Sequence, residues 1–331
     1  MNKKNITVFF VTVMIGFVFV LFGCTNEKTT KESQLNIENE KINVMVSILP
    51  QVEFVEKIGG DIVNVNEMIP PGYSPATYDP SPEQLKALQD AEIYFRIGHI
   101  PFENAQMDKL SELNSDMIVV DTSENIPLLT LESHSHGEEE DDHEDEDEHE
   151  DEDEHEEEDE HEDEDDHEGG PDPHIWLSPK LVKIQAKIIT DALISYRPEQ
   201  EENFLKNYNN FIKELEELDE KLTETFKPIS GKTILVFHPA FGYLADAYNF
   251  EQESIEIEGK DPSPEHLKTI IDEALEHDIK VIFVQKQFST KSAQAIAKEI
   301  DGAVVQIDPL AKNYIENLSE MAETIVNELN K

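Results

Sequence analysis

The chain has 331 residues, with 74 Asp and Glu against 26 Lys and Arg, a formal charge of -48. Residues 138–168 alone hold 26 acidic side chains and no basic one, and the rest of the chain still stands at -22. Phosphate backbones demand the opposite sign, so nucleic acid is excluded as a partner, whereas cation capture or a merely solvated acidic surface fits.

Met1-Asn2-Lys3-Lys4 precedes an apolar run from Ile6 to Phe22, then Gly23 and Cys24. A basic start followed by an apolar core reads as an export signal over 1–23, with a retained membrane span as the alternative. Leu21-Phe22-Gly23-Cys24 resembles a bacterial or archaeal lipoprotein box. That resemblance implies cleavage before Cys24 and lipid on its sulfur, hence an extracytoplasmic protein anchored to the cell membrane. Cys24 is the one cysteine, so disulfides are excluded and stability rests on core packing. Residues 24–41 are polar and irregular, a tether.

From 42 to 198 the pattern predicts an N-terminal lobe. Strands are expected over 42–48, 62–69, 91–97 and 117–120. Helices are expected over 50–60, ending at Gly59-Gly60, from Ser81-Pro82, where Ser81 caps and Pro82 takes the first position, and over 102–113. Residues 134–168 interrupt this alternation: His143, His149, His155, His161 and His167 recur every six residues with five acids between each pair. Nothing apolar is available to bury, so disorder is expected. Imidazole and carboxylate both ligate first-row metals, giving weak, multiple binding without the fixed geometry of a tight site. The other reading is an inert solubilising insert. Asp172-Pro173-His174 through Ser178-Pro179 then forms a stiff loop entering a helix over 181–196 that Ser178 caps.

Residues 199–228 predict one long linking helix. Its stripe is Phe204, Leu205, Tyr208, Phe211, Ile212, Leu215, Leu218, Leu222 and Phe226 at three- and four-residue spacings. A coiled coil is the alternative, but strand patterns resume at once. From 229 to 331 a second lobe repeats the alternation, with strands over 233–237, 254–257, 281–284 and 304–307. Helices are expected over 240–248, 263–277, 290–300 and 315–329. Alternation in both halves predicts an α/β fold of two lobes, each a mainly parallel sheet flanked by helices.

Ligands gather beyond the carboxyl ends of strands in such sheets. His99, His238 and Asp308 each follow a predicted strand, and His174 lies in the stiff loop. Three imidazoles and a carboxylate satisfy tetrahedral Zn2+, and Mn2+ also accepts such a set. Taken singly, His238 is equally well a satisfied core histidine, and Asp308 a cap on the turn at Pro309.

Several stretches together resemble the metal-binding receptors of ABC transporters for zinc and manganese. They are Pro71-Gly72 with Thr77-Tyr78-Asp79-Pro80-Ser81-Pro82, Asp172 through Pro179, Phe237-His238-Pro239-Ala240-Phe241-Gly242-Tyr243, and Asp308-Pro309-Leu310-Ala311. The resemblance spans about residues 42–331. It implies two lobes joined by a rigid helix, one metal in the interlobe cleft, and delivery to a membrane permease. It also implies His174, His238 and Asp308 as ligands. The family's first histidine is missing, because Ala76 occupies its place in Pro75-Ala76-Thr77-Tyr78. His99 is the expected substitute, with Glu103, Asp79, Glu258 and Asp261 as further candidates and a three-ligand site completed by water as the alternative.

The expected activity is capture and delivery of Zn2+ by a monomer, with a manganese receptor of the same class or a metal-buffering or adhesive surface lipoprotein as alternatives. A metallohydrolase is the enzymatic competitor. It is disfavoured because the chain has no His-Glu-x-x-His helix and no evident positioned general base.

Overall fold

The computed structural model describes residues 41–131, 170–256 and 262–331. The export segment, Cys24, the tether, the His-rich tract, Glu258 and Asp261 lie outside the described residues.

The N-terminal lobe runs β1 (Ile42–Val46), α1 (Leu49–Gly59), β2 (Val63–Glu67), α2 (Pro82–Gln89), β3 (Ile93–Arg96), α3 (Pro101–Leu113) and β4 (Ile118–Asp121), followed by α4 (Pro179–Tyr196). Its sheet has the order β2-β1-β3-β4, with β3 parallel to both β1 and β4. α5 (Glu201–Phe226) leads to β5 (Thr233–Val236), α6 (Gly242–Tyr248), β6 (Glu251–Ser254), α7 (Pro264–Glu276), β7 (Val281–Gln285), α8 (Lys291–Glu299), β8 (Ala303–Ile307) and α9 (Tyr314–Leu329). The second sheet is β6-β5-β7-β8, also parallel, so the two lobes share one strand order. Each places its first strand at the sheet centre, where the crossover reverses direction.

Local chemistry explains the elements. Pro82 opens α2 behind Ser81, whose hydroxyl accepts from the Gln84 amide while Gln84 Oε1 accepts from Ser81 N–H at 2.9 Å, a reciprocal cap. Ser263 caps α7 from one side only, its side chain accepting from His266 N–H at 3.2 Å. Ser178 holds the N-cap position of α4, but its side chain makes no capping bond. It is buried, and its carbonyl accepts from Leu181 and Val182 N–H, as the ladder of any helix begins. The strand expected over 254–257 lies earlier, at Glu251–Ser254. Asn249, at φ 60°, ends α6 in the left-handed region, and the chain becomes extended as soon as buried Phe250 is passed.

Pro198–Gln200 forms a 3-10 turn before α5, whose 26 residues span about 39 Å. Phe204, Phe211, Leu215, Leu218, Leu222 and Phe226 are buried along one stripe. Leu205 is not part of it: one residue on from Phe204, it turns outward and stays exposed. α5 packs on α4 and α1 of the first lobe and on α9 of the second, so it links the lobes through its whole length. Phe54 joins this seam, tilted on Phe211 at 5.9 Å and edge-on to Tyr314 at 4.9 Å. In the second lobe, β5 and β7 supply Leu235, Ile282 and Val284 to a core closed by Ile270, Ala274, Ala293, Ile296 and Ile300.

Candidate metal centre

Asp172-Pro173-His174 is a local device. The Asp172 carboxylate accepts from the His174 backbone N–H at 2.9 Å and from its ring Nδ1 at 2.6 Å. An aspartate reaching the amide two residues on is a standard turn, and Pro173 stiffens it. Trp176 follows on a 3-10 turn, and its ring lies 5.1 Å from that of His174.

His238 sits just past β5 and is held differently. Gln285, buried at the end of β7, grips the His238 backbone from both sides, donating to its carbonyl at 2.6 Å and accepting from its N–H at 3.3 Å. The ring Nδ1 contacts the buried Glu256 carboxylate at 2.8 Å, and Phe288 stacks on the ring at 5.0 Å. Desolvation in the cleft holds the His238 imidazole below its ordinary value, against the opposing pull of Glu256.

These two histidines, one from each lobe, meet. Their Nε2 atoms are 3.3 Å apart and their rings 5.2 Å apart. A carboxylate only accepts hydrogen bonds, so Asp172 and Glu256 each hold a protonated Nδ1. In the neutral rings both Nε2 atoms therefore present lone pairs to the same point, an arrangement that a cation between them stabilises. Such carboxylate–histidine pairs orient metal ligands and strengthen them as donors. Neither acid was assigned a role from sequence. For Asp172 the signal was there, two residues before a histidine with proline between, whereas only the folded sheet brings Glu256 to His238.

Both imidazoles line a cavity of about 100 Å3 together with Ala76, Gln285, Gln287 and Phe288. Hydrogen bonds cross between the lobes at its edge. Trp176 Nε1–H donates to the Pro309 carbonyl at 2.9 Å, and Tyr243 Oη donates to the Asp172 carbonyl and accepts from Leu129 N–H. The ends flanking the His-rich tract pair beside it, Leu131 N–H donating to the Gly170 carbonyl and Asp172 N–H to that of Leu129. A larger groove of about 880 Å3 runs along β6 and α7, but neither His174 nor His238 lines it.

The other expected ligands are not drawn in. Pro309 and Leu310 line the cavity, yet the Asp308 carboxylate accepts from Gln287 Nε2 at 3.0 Å and Leu310 N–H at 3.1 Å, with Lys286 Nζ at 3.5 Å. His99 is half-buried on a left-handed turn, Gly98 at φ 85° and His99 at φ 63°, and does not line the cavity. Glu103 is fully engaged, accepting from Ser47 Oγ and from the Ile97 and Gly98 amides at 2.8 Å. Asp79 is exposed and also outside the lining. Among the described residues, no group of three or more His, Cys, Asp or Glu side chains is gathered closely enough to hold a metal.

Two parallel-sheet lobes on a linking helix, with an imidazole from each lobe in the cleft, define a solute receptor of the metal-binding class. Residues 44–328 match the family described as zinc-uptake complex component A, periplasmic. The high-affinity zinc uptake system protein ZnuA of Bacillus subtilis (strain 168) is 30% identical over 93% of this chain and 88% of its own length. A crystal structure of ZnuA superposes with a TM-score of 0.74 at 37% identity, covering 87% of this chain and 99% of that one. A 138-173 deletion mutant of ZnuA with zinc bound gives 0.73 at 36% identity, covering 87% and 98%. The chain belongs to the zinc-uptake component A family. It is an extracytoplasmic solute receptor for a divalent transition metal that serves an ABC permease, and not an enzyme.

Proposed function

We propose that the chain captures Zn2+ between His174 and His238 and delivers it to the permease as a monomer. The observation that carries this reading is the Nε2 pair, 3.3 Å apart, with each opposite nitrogen held by a buried carboxylate. Zinc–nitrogen bonds of about 2.0–2.1 Å at a tetrahedral angle set two ligands about 3.3–3.4 Å apart. Paired imidazoles suit zinc better than manganese, which prefers oxygen donors.

Asp308 is the third donor in this reading. Its engagement requires the carboxylate to exchange Gln287 and Lys286 for the ion, and the two residues after it already line the cavity. His99 remains a candidate only through reopening of the left-handed turn at Gly98–His99. Lipid on Cys24 would keep the loaded receptor near the membrane, and the His-rich tract would concentrate ions close to it.

Competitive titration of the metal-depleted full-length chain with Zn2+ and Mn2+ tests the reading. Wild type is expected to hold one ion tightly and to prefer zinc. His174→Ala or His238→Ala is expected to lose at least about a hundredfold in affinity, or about 2.7 kcal/mol. Unchanged affinity in both variants would refute the site, and unchanged affinity in His99→Ala would remove that residue.

A further inference from the structure

We infer that Lys286 is a tethered competitor of the metal: its ammonium holds the Asp308 carboxylate in the empty receptor and reclaims it as the ion departs, which speeds release. The inference rests on the proposed site, because it takes Asp308 as the third donor.

The sheet builds the pairing. β7 and β8 run parallel with Gln285 opposite Ile307, so Lys286 and Asp308 are the next residue on each strand's exit. Lys286 N–H donates to the Ile307 carbonyl at 3.0 Å, and Asn317 of α9 donates to the Asp308 carbonyl at 2.7 Å. Both main chains are thus fixed side by side, and only the side chains are left to move. Among the described residues, each is the other's one ion-pair partner.

The two carboxylate oxygens are held unequally. Oδ1 accepts from Gln287 Nε2 at 3.0 Å and from Leu310 N–H at 3.1 Å. Oδ2 has only the Lys286 ammonium, at 3.5 Å. A charge-assisted hydrogen bond is closer, about 2.7–2.9 Å, so this contact is Coulombic and lacks a directed bond. Oδ2 is therefore the oxygen most cheaply handed to another cation. The Lys286 side chain is 59% exposed, so the displaced ammonium passes straight into water.

The exchange has a consequence for delivery. The Asp308 side chain is only 19% exposed. An ion leaving such a carboxylate leaves a poorly hydrated negative charge behind, and that cost opposes departure. An ammonium on the neighbouring strand supplies the replacement charge. The same ammonium competes during capture, so it sets affinity below what the donors alone would give.

Zinc release from the loaded full-length chain into excess chelator tests this, beside competitive titration of the metal-depleted chain. Lys286→Met is expected to slow dissociation and to raise affinity, each about threefold, the scale of a partly exposed ion pair. Lys286→Arg keeps the charge and is expected to release zinc faster than Lys286→Met. Asp308→Asn is expected to weaken binding, and Lys286→Met to add nothing in that background, since a competitor needs a carboxylate to compete for. Simple removal of a positive charge near the ion would instead raise affinity equally in both backgrounds, and that result would overturn the inference. So would a Lys286→Met variant with wild-type release, or with weaker binding. If Asp308→Asn binds zinc like wild type, Asp308 is no donor and the inference falls with that reading. Weakened binding in Asp308→Asn beside an unaltered Lys286→Met sinks the inference alone. Lys286 lies at the surface, so neither substitution there threatens the core.

Discussion

His174 and His238 are ordinary imidazoles made into a pair by what stands behind them. Asp172 and Glu256 fix both tautomers, and each acid is buried with its histidine as its ring-side partner. Asp172→Asn and Glu256→Gln keep the shapes but remove the charge and the obligatory acceptor. Each is expected to weaken zinc binding about 10–100-fold in competitive titration while the fold persists. Glu103 poses a different question at the same scale. Burial pushes its carboxyl up to about 7, against the lowering pull of Ser47 and the Ile97 and Gly98 amides. The folded state thus holds this proton better than the unfolded state does. The stabilising share is complete below the unfolded value of 4.5 and disappears as pH rises through about 7. Urea unfolding between pH 5 and pH 8 should show a loss from this group of roughly 3 kcal/mol at most. Glu103→Gln is expected to flatten that slope, leaving the part due to Glu53, whose carboxyl burial also raises.

Among the elements, α5 carries the heaviest packing. Its buried stripe contacts both lobes, and Phe211 meets Phe54 at the seam. Phe211→Ala should cost about 3–5 kcal/mol, read as a fall in the urea midpoint. Ser81→Ala removes a reciprocal cap and should cost about 1 kcal/mol in the same assay. Both elements are legible in the chain because their causes are local. The three- and four-residue spacing of large apolar residues specifies a helix, and Ser-Pro-Glu-Gln specifies its start. The errors have local causes too. Leu205 falls into the sequence stripe because one-residue neighbours differ by only about 100° around a helix, while Ser178 takes the cap position without a side-chain cap.

At the scale of the molecule, the two lobes are tied together where the histidines meet, by Trp176 to Pro309 and by Tyr243 to Asp172 and Leu129. Trp176→Phe keeps an aromatic side chain but removes the N–H that reaches the Pro309 carbonyl, and its metal dissociation rate should rise severalfold by stopped-flow chelator exchange. A helix that packs along its whole length on both lobes resists wide opening, so release is expected to work through these ties. Leu131 and Gly170, which flank the His-rich tract in sequence, pair through their main chains. A chain lacking 132–169 should therefore keep one tight zinc site and lose only weak additional binding, as isothermal titration would report.

What the amino-acid sequence determined by itself was everything that short spacing controls: the α/β alternation, the linking helix, and the proline-stiffened loop that carries His174. It also made His238 a candidate, because a histidine directly after a strand falls where parallel sheets present ligands, although the same rule made candidates of His99 and Asp308. Only the tertiary structure decided that these two imidazoles face each other across 3.3 Å, that Glu256 and Gln285 hold His238, and that His99 stands outside the cavity they line. The physical reason is distance along the chain. His174 and His238 are 64 residues apart, and their meeting depends on how two sheets are set against one helix, which no local pattern of residues encodes.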